Sequence, residues 1–125
     1  MPTATVQPEA IATVTPSEAI RRVQLEAILS KVDKGFKREI ATRGMKSTFW
    51  AFGAYYLDPQ YLSIVIGVDS DDQRDQLKAD DTLDPALRKI LTDFGWPRPD
   101  VAYFFIESQE TVARESDGNW FEHFR

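Results

Sequence analysis

The sequence has no cysteine, which removes disulfides, thiolate metal sites and cysteine nucleophiles together and fits a reducing, cytoplasmic setting. It has one histidine, His123, so a two-histidine zinc site cannot form. Its six glycines are scattered and spell neither GxxxxGK[ST] nor GxGxxG, which removes the two common loops that cradle nucleotide phosphates. Long apolar runs are missing too. YLSIVIGV and VAYFFI fall far short of the roughly 20 residues that carry a helix across a bilayer, so no membrane span is expected. No cofactor and no metal follow from what remains.

Charge of one sign is scarce in each part of the chain. Of fifteen Lys and Arg, eight lie between Ser17 and Lys46, whereas fifteen of the twenty Asp and Glu follow Ser47. A basic helix and an acidic remainder are expected, with a net charge of -5; duplex nucleic acid is disfavoured, because phosphate affinity needs concentrated cations. The opening MPTATVQPEAIATVTP, small and punctuated by proline, reads as a flexible leader over residues 1–15, followed by one domain over 16–125.

What is present is periodicity. In TPSE, Thr15 can cap a helix, Pro16 suits its first position and Glu18 sits where a capping box places its acid. Leu25, Ile28, Leu29, Val32, Phe36 and Ile40 then recur every three or four residues, predicting a helix from Pro16 to Thr42 with one apolar stripe. Gly35 interrupts it, marking a bend or a close approach to a neighbour. STFWAFGAYYLDPQYLSIVIGV reads as two antiparallel strands split by Asp58 and Pro59, apolar on both faces and therefore covered on both. A second, short helix is expected over LDPALRKILTDFG, with Asp84 as its cap and Pro85 first in it. DVAYFFIESQETVARES reads as the longest strand, and Asp117-Gly118 as a tight turn, leaving residues 119–124 as either a strand or a helix. The order α-β-β-α-β, with room for a further β, predicts an α+β fold. Its mainly antiparallel sheet of three to four strands is packed by the long N-terminal helix and the second short one.

The densest chemical feature is VDSDDQRDQLKADDTLD. Acids stand at the first, third and seventh places of a calcium loop counted from Asp69. The sixth, which needs glycine, holds Arg74, and the twelfth, which needs a bidentate glutamate, holds Asp80. A solvated connection with one helical turn, aided by an Asp75 to Lys78 pair, is the simpler expectation. His123 stands near several carboxylates in sequence, so a serine or threonine nucleophile with His123 and an acid is conceivable, although no GxSxG elbow signals it. Glu107 shares its parity with Val101, Tyr103 and Phe105; its carboxylate is either a polar group in an aromatic pocket or the point where the strand meets solvent.

These features support a non-enzymatic acidic binding module that neutralises or regulates a basic protein partner. Asp69, Asp71, Asp72, Asp75, Asp80 and Asp81 would supply charge, and Trp96 and Trp120 the aromatic anchors. The alternative is a small-molecule-binding domain or small enzyme. Its pocket would lie between the sheet and the long helix, lined by Trp50, Phe52, Tyr55 and Tyr103, with Glu107 and His123 as polar groups. A sheet face left uncovered would also serve for pairing with a second copy of the chain.

Overall fold

The computed structural model describes residues 15–125; of the expected leader, only Thr15 falls within them. Helix α1, Pro16–Ala41, begins as its sequence dictates. Thr15 Oγ1 accepts the Glu18 N–H at 3.1 Å and Pro16 occupies the first turn, where a missing N–H costs nothing. Leu25, Leu29, Val32, Phe36 and Ile40 are buried along one stripe. Gly35 is the notch where another helix crosses: a Cβ there would stand 2.8 Å from Ile90 Cγ2.

Strand β1, Thr48–Phe52, runs antiparallel to β2, Ser63–Val68, with Phe49 opposite Ile66 and Trp50 opposite Val65. The link between them holds a short 3-10 turn over Pro59–Tyr61, capped by Asp58, whose Oδ1 accepts the Gln60 N–H at 3.1 Å. Beyond β2 the antiparallel expectation fails. Strand β3, Tyr103–Ser108, pairs parallel to β2, giving a mixed sheet in the order β1-β2-β3. The reason lies in the connection: two helices, α2 over Asp71–Ala79 and α3 over Leu83–Asp93, carry the chain back to the starting end of the sheet, as a parallel crossover requires.

The aspartate stretch is thus the first half of that crossover and forms a full helix. Ser70 and Gln73 close a capping box, and Asp71 and Asp72 occupy the first turn, where negative charge complements the helix dipole. Asp75 pairs with Arg74 at 3.0 Å, the residue beside it, in place of the expected Lys78. Helix α3 starts one residue before its expected cap; Asp84 lies inside it and grips Arg88 at 2.8 Å.

The C-terminal third also differs from expectation. β3 ends at Ser108, whose hydroxyl accepts the Thr111 N–H at 3.1 Å and so opens helix α4, Gln109–Ser116. A local side-chain cap has overridden the strand-like composition. Asp117 and Gly118, with φ of 51° and 79°, end that helix in left-handed conformations instead of turning a hairpin. Asn119 then caps a last short helix, α5, Trp120–His123, accepting the Glu122 N–H at 3.0 Å.

One core results, on one face of the sheet. Phe49, Ala51, Ile64, Ile66, Phe104 and Ile106 pack against α1 and α3, and Phe36 meets the edges of both Phe49 and Phe104 at 5.5 and 5.6 Å. Trp96, 3% exposed, belongs to this core and donates Nε1–H to the Pro59 carbonyl at 3.3 Å. Among the described residues no helix is long and apolar enough to cross a membrane.

Candidate functional site

The second face of the sheet is built from the residues of opposite parity. Trp50, Val65 and Phe105 form one row, Phe52, Ser63 and Tyr103 another, and Thr48, Gly67 and Glu107 the third. Cover comes from α5 and Phe124. Trp120 lies against Trp50 at 4.9 Å and Phe124 against Phe105 at 5.5 Å, while Phe52 stacks on Phe105 at 5.9 Å. Such pairs contribute about 0.5–1.5 kcal/mol each beyond their buried area. Gly67 allows the close approach of α5, because a Cβ there would collide with Thr48 Oγ1 and sit 2.9 Å from the Trp120 indole. The cover is incomplete. A cleft of about 420 Å³ remains, walled by Trp50, Phe52, Val65, Trp120, Phe121 and Phe124, with Arg125 also lining it.

Beside this cleft runs a connected set of polar groups. Glu107 accepts from Arg74 Nη1 and its neighbour's Ser108 N–H through Oε1, both at 2.9 Å, and from His123 Nε2 through Oε2 at 2.9 Å. On the other side of the imidazole, His123 Nδ1 lies 3.0 Å from Ser116 Oγ. Because a carboxylate can only accept, Nε2 carries the proton. In the neutral ring, Nδ1 is then the acceptor for the Ser116 hydroxyl. Burial pushes the Glu107 carboxyl up, but Arg74, the Ser108 N–H and His123 outweigh it and hold it below its ordinary value. A second anchor adjoins the first: Asp71 accepts from the Ser108 and Thr111 hydroxyls and from Arg114 Nη2 at 3.2 Å. The two hydroxyl bonds, with Arg114 beside them, bring its carboxyl down to about 2.

This network occupies the carboxyl ends of the parallel strands, where Val68 pairs with Ser108 and where ligands commonly enter α/β sheets. Here the protein fills that place itself. Glu110 Oε1 accepts the Asp71 N–H at 2.7 Å at the start of α2, and Asp71 sits over the start of α4. A phosphate would have to displace a carboxylate from each helix start. Among the described residues no group of three or more His, Asp or Glu side chains is placed to hold a metal ion.

No family model, curated protein or solved structure matches the chain. Its functional reading therefore rests on where the side chains stand. Of the residues singled out for charge, Asp71 and Asp80 are engaged inside the molecule, the latter with Thr82 and with Arg43 at 2.8 Å, which hold its carboxyl down to about 2. Asp69, Asp72, Asp75 and Asp81 are exposed, Asp75 at 64% while paired with Arg74 beside it. Trp96 is a core residue; Trp120 stands at the cleft and donates to Gln109 Oε1 at 2.9 Å.

Of the expected pocket residues, Trp50 and Phe52 wall the cleft, and Glu107 and His123 meet each other beside it. Tyr103 lies on the same sheet face, 59% exposed. Tyr55 sits elsewhere, edge-on to Trp96 at 5.9 Å. The space between α1 and the sheet is filled by Phe36, Val32, Ile40 and the inward strand residues, so the cleft lies across the sheet from the long helix. Phe105, Arg74 and Ser116 were not among the residues expected at a site, although Phe105 was placed by its parity with Glu107 and Arg74 by its position among the aspartates. The sevenfold spacing of Ser116 and His123 across Asp117-Gly118 carried a signal only for a helical corner, not for the hairpin inferred there.

Proposed function

We propose that the protein binds a small, largely apolar ligand in the cleft between the second sheet face and α5. The supporting observation is the cleft itself: about 420 Å³ falls within the roughly 300–1,000 Å³ of small-molecule sites, and aromatic side chains dominate its walls. Trp50 remains 42% exposed and Phe121 76%, leaving apolar area that a ligand would remove from water at about 25 cal/mol per Å². The acidic-partner reading retains Asp69, Asp72, Asp75 and Asp81 but has lost Trp96 to the core, so the cleft carries the stronger case.

Titration with an anilinonaphthalene sulfonate dye tests this. Saturable dye emission, with quenching of tryptophan fluorescence at Trp50 and Trp120, is the expected outcome. Val65→Phe, which fills the floor of the cleft, should abolish saturation, and Trp50→Ala should weaken it while the thermal transition stays cooperative. Dye binding that never saturates, or that ignores both substitutions, would overturn the proposal.

A further inference from the structure

The line of Glu107, His123 and Ser116 has a use that the cleft does not absorb. An acid, an imidazole and a hydroxyl joined in series, with both links near 3 Å, meet the geometric requirement for an activated nucleophile: a base within reach of the hydroxyl and a third group that orients the base. We propose that Ser116 is a base-activated nucleophile that accepts the acyl group of an activated carboxylic ester. His123 is its base, and Glu107 the positioning residue.

Each part of the assignment has a physical reason. Glu107 fixes the tautomer by accepting the Nε2 proton, which points the Nδ1 lone pair at the Ser116 hydroxyl. The two ring nitrogens are exchanged relative to the usual serine-protease arrangement, but either nitrogen serves when the other is held by an acid. As Ser116 Oγ attacks the ester carbonyl, its proton passes to Nδ1. The imidazolium so formed faces the Glu107 carboxylate of β3 on one side and the end of α4 on the other, where the negative pole of the helix dipole favours it. Arg74 of α2, on the far oxygen of Glu107, keeps that carboxylate ionised and in place. The ester C–O bond then breaks, the alcohol leaves with the proton from His123, and Ser116 holds the acyl group.

The surroundings also limit the reaction. Asp117 and Gly118 both donate their N–H groups to the Val112 carbonyl, and Asn119 donates to Ser116 O. These neighbouring amides are therefore spent and unable to hold an oxyanion, which in hydrolases supplies a large share of the rate. One acyl transfer per chain, and not rapid turnover, is the expected behaviour. The inference goes beyond the cleft reading and does not depend on it, because a small acyl group suffices.

The experiment is incubation with p-nitrophenyl acetate, following nitrophenolate release and mapping the adduct by peptide mass spectrometry. One equivalent should be released and one acetyl group found on Ser116. Ser116→Ala should abolish both while leaving the near-ultraviolet dichroism of the Trp50 and Trp120 pair unchanged. His123→Gln should slow release about a hundredfold, at the low end of what a general base supplies. Glu107→Gln disfavours the imidazolium, so the rate should level off at lower pH than in the parent protein, and Glu107→Asp should restore part of the original profile. Acetylation confined to lysines, or release unchanged by Ser116→Ala, would overturn the proposal. If the dye titration succeeds while Ser116 stays unlabelled, only this inference falls.

Discussion

The two faces of the sheet carry similar apolar side chains and have opposite fates. On the first, Phe36 reaches from α1 between Phe49 and Phe104 and is 1% exposed, and a helix of 26 residues lies across the strands with α3 beside it. On the second, Trp50, Phe52 and Phe105 are met by a helix of four residues. Composition alone makes both faces apolar; the length of the covering element decides which becomes a core and which keeps a cleft. The same deletion should therefore read very differently on the two faces. Phe36→Ala leaves a void among side chains that cannot collapse and should cost about 3–5 kcal/mol, whereas Phe121→Ala, at a ring 76% exposed, should stay within about 0.5 kcal/mol. Urea unfolding of the two variants checks this, and near-equal losses would mean that the second face is as tightly packed as the first.

Gly67→Ala sharpens the comparison at a single atom. The new methyl would meet Thr48 and Trp120, with no contact on the α1 face. Crowding of this kind costs about 1–3 kcal/mol, and here the easiest relief is displacement of the Trp120 indole. Tryptophan emission should shift to the red and the near-ultraviolet dichroism should fall, with the far-ultraviolet helical signal kept. A silent substitution would show that α5 does not rest on β2 as closely as the first helix rests on the opposite side.

Legibility in the sequence followed the same division. The α1 face was readable because its determinants are long and periodic: a stripe of about four turns from Leu25 to Ile40 and alternating Ile64, Ile66 and Val68 survive any error at their ends. Gly35 was readable as either a bend or a close approach, and Ile90 makes it the latter. The second face depends on short-range decisions that composition conceals. Asp100 to Ser116 looks like one strand until the Ser108 hydroxyl captures the Thr111 N–H, and Asp117-Gly118 suits a hairpin as well as a helix end until α4 is known to precede it. The direction of β3 was hidden for a related reason: Asp-rich VDSDDQRDQLKADD has little helical hydrophobicity, and its helix is secured by a capping box and by ion pairs of Arg74. Glu107 could be flagged by parity, but its partners come from α2 and α5, far apart in sequence, and only the fold brings them together.

Acid should separate the faces more gently than mutation. Asp71 and Glu107 hold the corner of β3 and α4 from which α5 extends, whereas on the α1 side the depressed carboxylate, Asp80, ties Arg43 to Thr82 at the rim, and among the described residues no carboxylate is buried in the core beneath α1. The Asp71 carboxyl titrates at about 2 in the fold against an ordinary 3.8, and the Glu107 carboxyl is also depressed. A depressed folded value stabilises above the ordinary one, and the contribution is lost as pH falls from there through the folded value. The window for Asp71 is therefore about pH 4 to 2. Both the Trp50 and Trp120 signal and the accessibility of the cleft to dye should change across that window before the far-ultraviolet signal does. Asp71→Asn, which keeps the shape but cannot gain a proton, should flatten the early change. Simultaneous loss of all signals would break the comparison, because it would mean that the cover of the second face and the α1 core unfold as one unit.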